Sequence, residues 1–520
     1  MRFSRRATGR SAIKGALMEV NIGRFLVKRA LLDGGRLALV AGARRHTFAA
    51  LNAEACRAAN LLRAHGVGPG DRVAALLRND LDYVALYYGA AKIGAILCAI
   101  NWRLAPPEVA YIVANGDPKL LVHDAEFAPA VAALGRGDFP IYVAGDGASA
   151  DESYLARLRA TSDREPAEFA DADSALVLVY TSGTTGRPKG AVLTHRQMFW
   201  AAATMAASHD YKQGDVNLVP TPLFHVGGLS FATLFVQMGA TMLLPRAWEP
   251  GAILGLIAAE KVNHFFAVPA MLRSLLDHGR FAEIDLSSLR WVLCGGAPVP
   301  PDLIAAFARR GVPVQQTYGA TETAGPATLV DLAHVSEKAG SAGLPYFHTD
   351  LRIADQDGRE LPPGETGEVQ IRAPHVFAGY WRNPEATRAA FAGEWLKTGD
   401  LGRRDVGGYL YLVDRAKDVI ISGGENIYPA EIEAVLCEHP SVSEIAVVGV
   451  PDSEWGQVPC AVVVAMPGET VTLEELREFC VGRIARYKQP RRLELRLSPL
   501  PRNASGKVLK HRLRHDPAIG

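Results

Sequence analysis

The sequence predicts an α/β protein: a large N-terminal domain of parallel β/α layers with a β-rich lobe, then a small α+β C-terminal domain. Three observations lead there. From about Val20 to Ala170, short apolar runs alternate with segments of helical period, which is the βαβ rhythm of a parallel sheet covered by helices. From Gly340 to Tyr411, short strands are separated by Gly and Pro turns. After Asp414 the pattern returns to mixed helix and strand, and the junction "DRAKD" (Asp414 to Asp418) marks the boundary. A chain of 520 residues is too long for one ordinary core, so more than one domain is required.

The elements follow in order. "TFAALNAEACRAANLLRAHG" places Leu51, Ala55, Ala58, Leu61 and Leu62 on one helical face and stops at Gly66. "DRVAALL" reads as a strand, "LDYVALYYGAAKIG" as a helix, "AILCAIN" as a strand, "PPEVAYIVANG" as a helix opened by prolines, and "KLLVHD" as a strand. The apolar stretch Tyr83 to Ile100 contains Lys92 and two glycines, so it suits a buried helix–turn–strand better than a membrane span. "LRWVLCGGAPVPPDLIAAFARRG" is strand, tight turn and helix. "LRIAD", "GEVQIRA" and "GYLYLVD" are the lobe's strands. In the last part, "PAEIEAVLCEHP" is a helix with Pro429 in its first turn, "SEIAVVGV" and "PCAVVVAM" are strands, and "TLEELREFCVGRIA" opens with a capping box of Thr472 and Glu475.

Composition excludes several classes. Hydrophobic residues make up 48% and charged residues 21%, ordinary values for a globular protein, and the formal charge of +1 gives no field for nucleic acid. The six cysteines are scattered without CxxC or CxxH spacing, which argues against zinc and disulfides and for a reducing cytoplasm; each is expected to be a small buried hydrophobe. Residues 1–17 carry Arg2, Arg5, Arg6, Arg10 and Lys14 with no apolar core between them, so they are expected to be a disordered extension rather than a secretory signal.

The stretch "LVYTSGTTGRPKG" (Leu178 to Gly190) is the strongest chemical pointer. Gly183 and Gly186 let backbone N–H groups converge on an anion, Thr181, Ser182, Thr184 and Thr185 add hydroxyls, and Lys189 adds charge. The loop follows a strand, where open α/β sheets bind ligands. Its spacing is not GxxxxGK[ST], which excludes a Walker-type nucleotide cradle.

This loop resembles the phosphate loop of the adenylate-forming superfamily, which includes the acyl-CoA synthetases. "QTYGATET" (Gln316 to Thr323), "GYWRNPEATRAAF" (Gly379 to Phe391), "WLKTGDLG" (Trp395 to Gly402), "YLVDRAKDVIISGGENIYPAEIE" (Tyr411 to Glu433) and "PRNASGKVLK" (Pro501 to Lys510) resemble that family's motifs in the same order, over about Val20 to Leu513. The resemblance implies that a carboxylate attacks the α-phosphorus of ATP to give an acyl-adenylate, from which the thiol of coenzyme A displaces AMP. It implies a loop from Thr181 to Lys189 on the β- and γ-phosphates, and Glu322 with Thr184 holding Mg²⁺. Thr321 would meet the α-phosphate; Gly295, Gly296, Ala297, Tyr318 and Gly319 would lie about the adenine; Asp400 and Arg415 would meet the ribose. Lys507 would bridge the carboxylate and the α-phosphate during adenylation.

By the same resemblance the small domain then rotates about Lys417. The domains would run 18–414 and 418–520 with a hinge at 415–417. Gly423, Gly424 and Trp455 would face coenzyme A after the swing. His225, with Phe224, Gly227 and Gly228, would wall the acyl pocket. Amino-acid-activating members place an aspartate at the His225 position, so an amino acid is disfavoured, and the apolar neighbours Phe231 and Met238 suit a fatty or aryl acid. A medium- or long-chain fatty acid is expected first, cinnamate- or benzoate-type acids next, with transfer to a carrier protein as a further alternative. A cytoplasmic monomer or homodimer is expected, with no nucleic acid partner, no transmembrane segment and at most peripheral membrane contact.

Overall fold

A computed structural model describes residues 20–135, 139–145, 152–166, 171–181, 188–415, 418–422, 425–452, 455–481, 483–484, 486–502 and 506–516. The chain divides into two units: Met1–Ala339 with Tyr346–Thr349 and Ala373–Ala389, and Gly340–Pro345 with Asp350–Arg372 and Ala390–Gly520.

Two sheets build the first unit. In one, strands Ala175–Thr181, Ile96–Ala99, Arg72–Leu76, Leu120–Asp124 and Ile141–Ala144 run parallel in that spatial order, and Lys189–Thr194 and Gly379–Tyr380 continue it antiparallel. In the other, Val314–Tyr318, Trp291–Gly295, His264–Ala267, Val216–Leu218, Thr241–Leu243 and Leu37–Ala41 are parallel, flanked by antiparallel Thr328–Leu329 and Arg44–Thr47. Helix Leu81–Lys92 is buried along its whole length because it packs against strands of both sheets. This is the buried helix–turn–strand the sequence predicts, with Gly94 turning the chain at φ +71°. Each large apolar side chain so enclosed contributes about 1.5–3 kcal/mol. Helix Phe48–Ala64 buries the five residues predicted for its face.

The second unit also holds two sheets. Its lobe is antiparallel: Asp350–Ala354, Gly367–Arg372, Trp395–Arg404 and Phe391–Ala392, with Leu410–Arg415 also paired to Trp395–Arg404. The other sheet orders Glu425–Ile427, Ile420–Ser422, Gly456–Ala465 and Val442–Asp452, with Arg492–Arg496 parallel beside Gly456–Ala465. Val447, Ala461 and Val463 face one core with helices Pro429–Leu436 and Leu473–Cys480, while Ala446, Val448 and Val462 face another with Leu500 and Leu513. Burial of both faces explains why "IAVVGV" reads as a continuous apolar run.

One expectation fails. Five cysteines are buried, but Cys437, the C-cap of helix Pro429–Leu436, is exposed. Among the described residues no helix is long and apolar enough to cross a membrane.

Candidate active site

The strand Ala175–Thr181 turns back into Lys189–Thr194, with Thr181 opposite Lys189 and Tyr180 opposite Gly190. The glycine loop therefore joins two antiparallel strands rather than a strand and a helix. Its interior, Ser182, Gly183, Thr184, Thr185 and Gly186, lies outside the described residues. The Thr181 hydroxyl donates to the Lys189 carbonyl at 3.5 Å, so the ladder returns the loop's cation to its starting point.

The "GYW" segment is stitched to this lysine strand. Trp381 N–H donates to Gly190 O at 2.7 Å and Ala378 N–H to Val192 O at 3.0 Å. A side chain at Gly190 would press on the Tyr180 ring at 3.1 Å and on Trp381 at 3.4 Å, which explains the glycine there. Between them, the Tyr380 ring lies with its centroid 5.3 Å from Lys189 Nζ, and its hydroxyl donates to Glu322 Oε1 at 2.8 Å. Burial first, then the Glu322 charge, pushes the Tyr380 phenol up, so it stays a protonated donor.

Glu322 sits in the 3₁₀ turn Thr321–Thr323, which follows strand Val314–Tyr318. The Thr323 hydroxyl accepts from Ala320 N–H at 2.9 Å and lies 3.0 Å from Ala320 O. Ser230 donates to Ala324 O at 2.7 Å, and Phe377 N–H donates to Glu322 O at 2.8 Å. Fully buried His375 closes the turn from below: Nδ1 is 2.9 Å from Thr323 O and Nε2 is 3.0 Å from Thr349 Oγ1. Burial lowers its pKa to about 4, so the neutral ring donates from Nδ1 and accepts at Nε2.

"CGGAP" and "TYGATET" end on neighbouring parallel strands, with Gly295 opposite Thr317. That places Gly295, Gly296, Ala297, Tyr318 and Gly319 together at the carboxyl edge of the sheet, where such sheets take ligands. Gly295 is required, since a β-carbon would stand 2.3 Å from Thr317 O, and Gly296 adopts φ +80°.

His225 caps helix Val226–Met238 and packs on Phe224 with ring centroids 4.4 Å apart. Burial, then the Arg103 charge, lowers its pKa to about 4, and its Nε2 has no hydrogen-bond partner among the described residues. The ring is therefore neutral at physiological pH. A β-carbon on Gly228 would meet Pro222 O at 2.5 Å, and one on Gly227 would meet the Phe266 ring at 3.1 Å, so both glycines serve close packing. The same helix carries Ser230, which ties this wall to the Glu322 turn.

In the second unit, buried Asp400 lies opposite Arg415 in the ladder, and its N–H donates to Thr398 Oγ1 at 3.1 Å. Lys417, Gly423 and Gly424 lie outside the described residues. Trp455 packs against the Val448 and Val450 core, with the Arg491 guanidinium 4.6 Å over its ring. Lys507 is exposed, directly after Gly506 at φ +85° and inside the bridge between Arg502 and Val508.

Among the described residues, no three of His, Cys, Asp and Glu gather as a metal cage. The donor chemistry fits Mg²⁺ all the same. That ion keeps waters and takes one or two carboxylates plus substrate phosphates, and Glu322 would offer one carboxylate beside the glycine loop's lysine strand. Sequence reasoning gave Tyr380, His375 and Ser230 no role, although Tyr380 lies in "GYWRNPEATRAAF" and Ser230 ends the His225 stretch "PLFHVGGLS".

Residues 27–381 match the family described as AMP-binding enzyme, and residues 431–507 match the AMP-binding enzyme C-terminal domain. A feruloyl-CoA synthase of Amycolatopsis sp is 41% identical, covering 95% of this chain and 98% of that protein. A long-chain-fatty-acid–CoA ligase of Mycobacterium tuberculosis is likewise 41% identical with the same coverage. The O-succinylbenzoate coenzyme A synthetase of Bacillus subtilis, solved with ATP and magnesium ion, superposes with a TM-score of 0.84 at 35% identity, covering 94% of this chain and 98% of that one.

Proposed function

The chain belongs to the family of AMP-binding enzymes and is an acid–thiol ligase of the acyl-CoA synthetase class, and we propose that it joins a medium- or long-chain fatty acid to coenzyme A through an acyl-adenylate. ATP, Mg²⁺ and coenzyme A serve that reaction.

The observation that carries the reading is the meeting of Lys189 and Glu322 on Tyr380. A carboxylate nucleophile needs no base, so catalysis reduces to positioning and charge neutralisation at the phosphorus. Lys189 and the loop from Thr181 orient the β- and γ-phosphates. Glu322, with Thr184, holds Mg²⁺, which supplies charge neutralisation. Thr321 meets the α-phosphate, Tyr318 and the Gly295–Ala297 turn meet the adenine, and Asp400 and Arg415 meet the ribose. Lys507 bridges the substrate carboxylate and the α-phosphate. The C-terminal domain, 418–520, turns on the hinge at 415–417 about Lys417, which accords with the lobe sheet and the last sheet sharing no strand. Gly423, Gly424 and Trp455 then meet coenzyme A. The protein acts in the cytoplasm as a monomer or homodimer, with at most peripheral membrane contact.

The acid is hydrophobic because the wall around neutral His225 offers the Phe224, Phe231 and Phe266 rings, with the Arg103 guanidinium as the charge that acts on His225. Those rings, with the equal identity to a feruloyl-CoA synthase, favour a cinnamate- or benzoate-type acid as the second reading. Mass spectrometry of reactions with ATP, Mg²⁺ and a panel of fatty, benzoic and cinnamic acids, with and without coenzyme A, separates them. Acyl-CoA plus AMP from the fatty series is expected. An acyl-adenylate that accumulates and ignores coenzyme A would move the acceptor to a carrier protein, and AMP from no acid would sink the reading.

A further inference from the structure

We propose that Tyr380 is a positioning residue for adenylation, which presents the Glu322 carboxylate to the metal and seats the Lys189 ammonium beside it. The inference rests on the adenylation reading above and gives a role to the "GYW" motif, which that reading leaves unused.

Two contacts made by different parts of one side chain carry it. The hydroxyl donates to Glu322 Oε1 at 2.8 Å, which fixes the carboxylate's orientation and leaves its other oxygen for a cation. The ring face holds Lys189 Nζ, 5.3 Å from the centroid. The ring packs edge-on against Phe377 at 4.8 Å, and the backbone beneath it is held by the Tyr380 amide N–H, which donates to Thr387 Oγ1 at 2.9 Å. Its strand pairs with Ala191 and Val192 of the lysine strand, while Phe377 N–H grips the Glu322 backbone at 2.8 Å. The segment from Phe377 to Trp381 thus joins the loop's cation and the turn's carboxylate, which lie far apart in sequence. A ligand's hydrogen-bonding partner that orients it usually changes metal affinity by about 10–100-fold when removed.

Tyr380→Phe keeps the ring and removes only the hydroxyl. The measurement is Mn²⁺ affinity by electron paramagnetic resonance in the presence of a non-hydrolysable ATP analogue, with analogue affinity at saturating metal measured by calorimetry. Tyr380→Phe is expected to weaken Mn²⁺ binding about tenfold, while analogue affinity at saturating metal stays at the wild-type value. Tyr380→Leu, which also removes the seat for Lys189, is expected to weaken both. Trp381→Phe, on the same segment without contact to Glu322, is the control and should change neither. An unchanged Mn²⁺ affinity in Tyr380→Phe, or an equal shift in Trp381→Phe, overturns the assignment and leaves the ligase reading intact. A wild-type protein that binds no nucleotide with metal overturns both.

Discussion

A β-carbon on Gly319 would stand 1.6 Å from the carbonyl oxygen of Gly325. The strand carrying Tyr318 and the far side of the Glu322 turn are therefore in backbone contact, and only glycine permits it. Gly319→Ala forces the turn outward and is expected to cost about 1–3 kcal/mol in urea unfolding. Adenylation, read by pyrophosphate exchange, should fall more than about tenfold, because the turn also aims Glu322. Gly35→Ala, with open space around it, should leave both unchanged.

His375 makes this turn sensitive to acid. Its pKa falls from 6.5 to about 4 in the folded chain because burial disfavours the cation. The unfolded chain therefore binds more protons between those values, and stability declines as pH drops from about 6.5 towards 4, by up to roughly 3 kcal/mol from this ring. His195 and His225, also lowered to about 4 by burial, act in the same window. His375→Gln should flatten the fall of melting temperature between pH 7 and 4.5. An unchanged slope would remove His375 from the cause.

Lys507 tests the proposed division of labour between the two half-reactions. If its ammonium neutralises charge only while the acyl–phosphate bond forms, Lys507→Ala should slow adenylation by about 3–4 kcal/mol, a few hundredfold. Coenzyme A attack on a supplied acyl-adenylate should proceed at the wild-type rate. Equal loss in both halves would assign the lysine a structural or general electrostatic role.

What the sequence disclosed follows from the range over which each feature acts. The helix Phe48–Ala64 was legible because its apolar period and its stop at Gly66 are local. "CGGAP" and "TYGATET" were legible as motifs, but their adjacency is set by parallel pairing of Gly295 with Thr317, which no short window contains. The same holds for Tyr380 and Glu322, whose bond spans 58 positions. The hairpin around the glycine loop escaped notice because strands Ala175–Thr181 and Lys189–Thr194 look alike whether parallel or antiparallel. The close packing of Gly227 on Phe266 is likewise a tertiary fact that no short window contains.

The choice between fatty and aryl acids can be read from a free-energy slope. A chain lying along an apolar wall gains about 0.8 kcal/mol per buried methylene, about fourfold in kcat/KM for each carbon added. With neutral His225 and the Phe224, Phe231 and Phe266 rings offering no fixed charge, saturated acids should climb at that slope until the pocket is filled, then level. A terminal carboxylate on the same chain should lose the gain wherever it lies against those rings, since a charge there loses its water, and keep it only where it reaches the Arg103 guanidinium. Cinnamate-type acids, if they are the true substrates, would break the slope: short saturated acids would react poorly at every length, and a planar ring would exceed any of them. Steady-state kcat/KM over even-numbered saturated acids from six to sixteen carbons, beside cinnamate and ferulate, decides between the two.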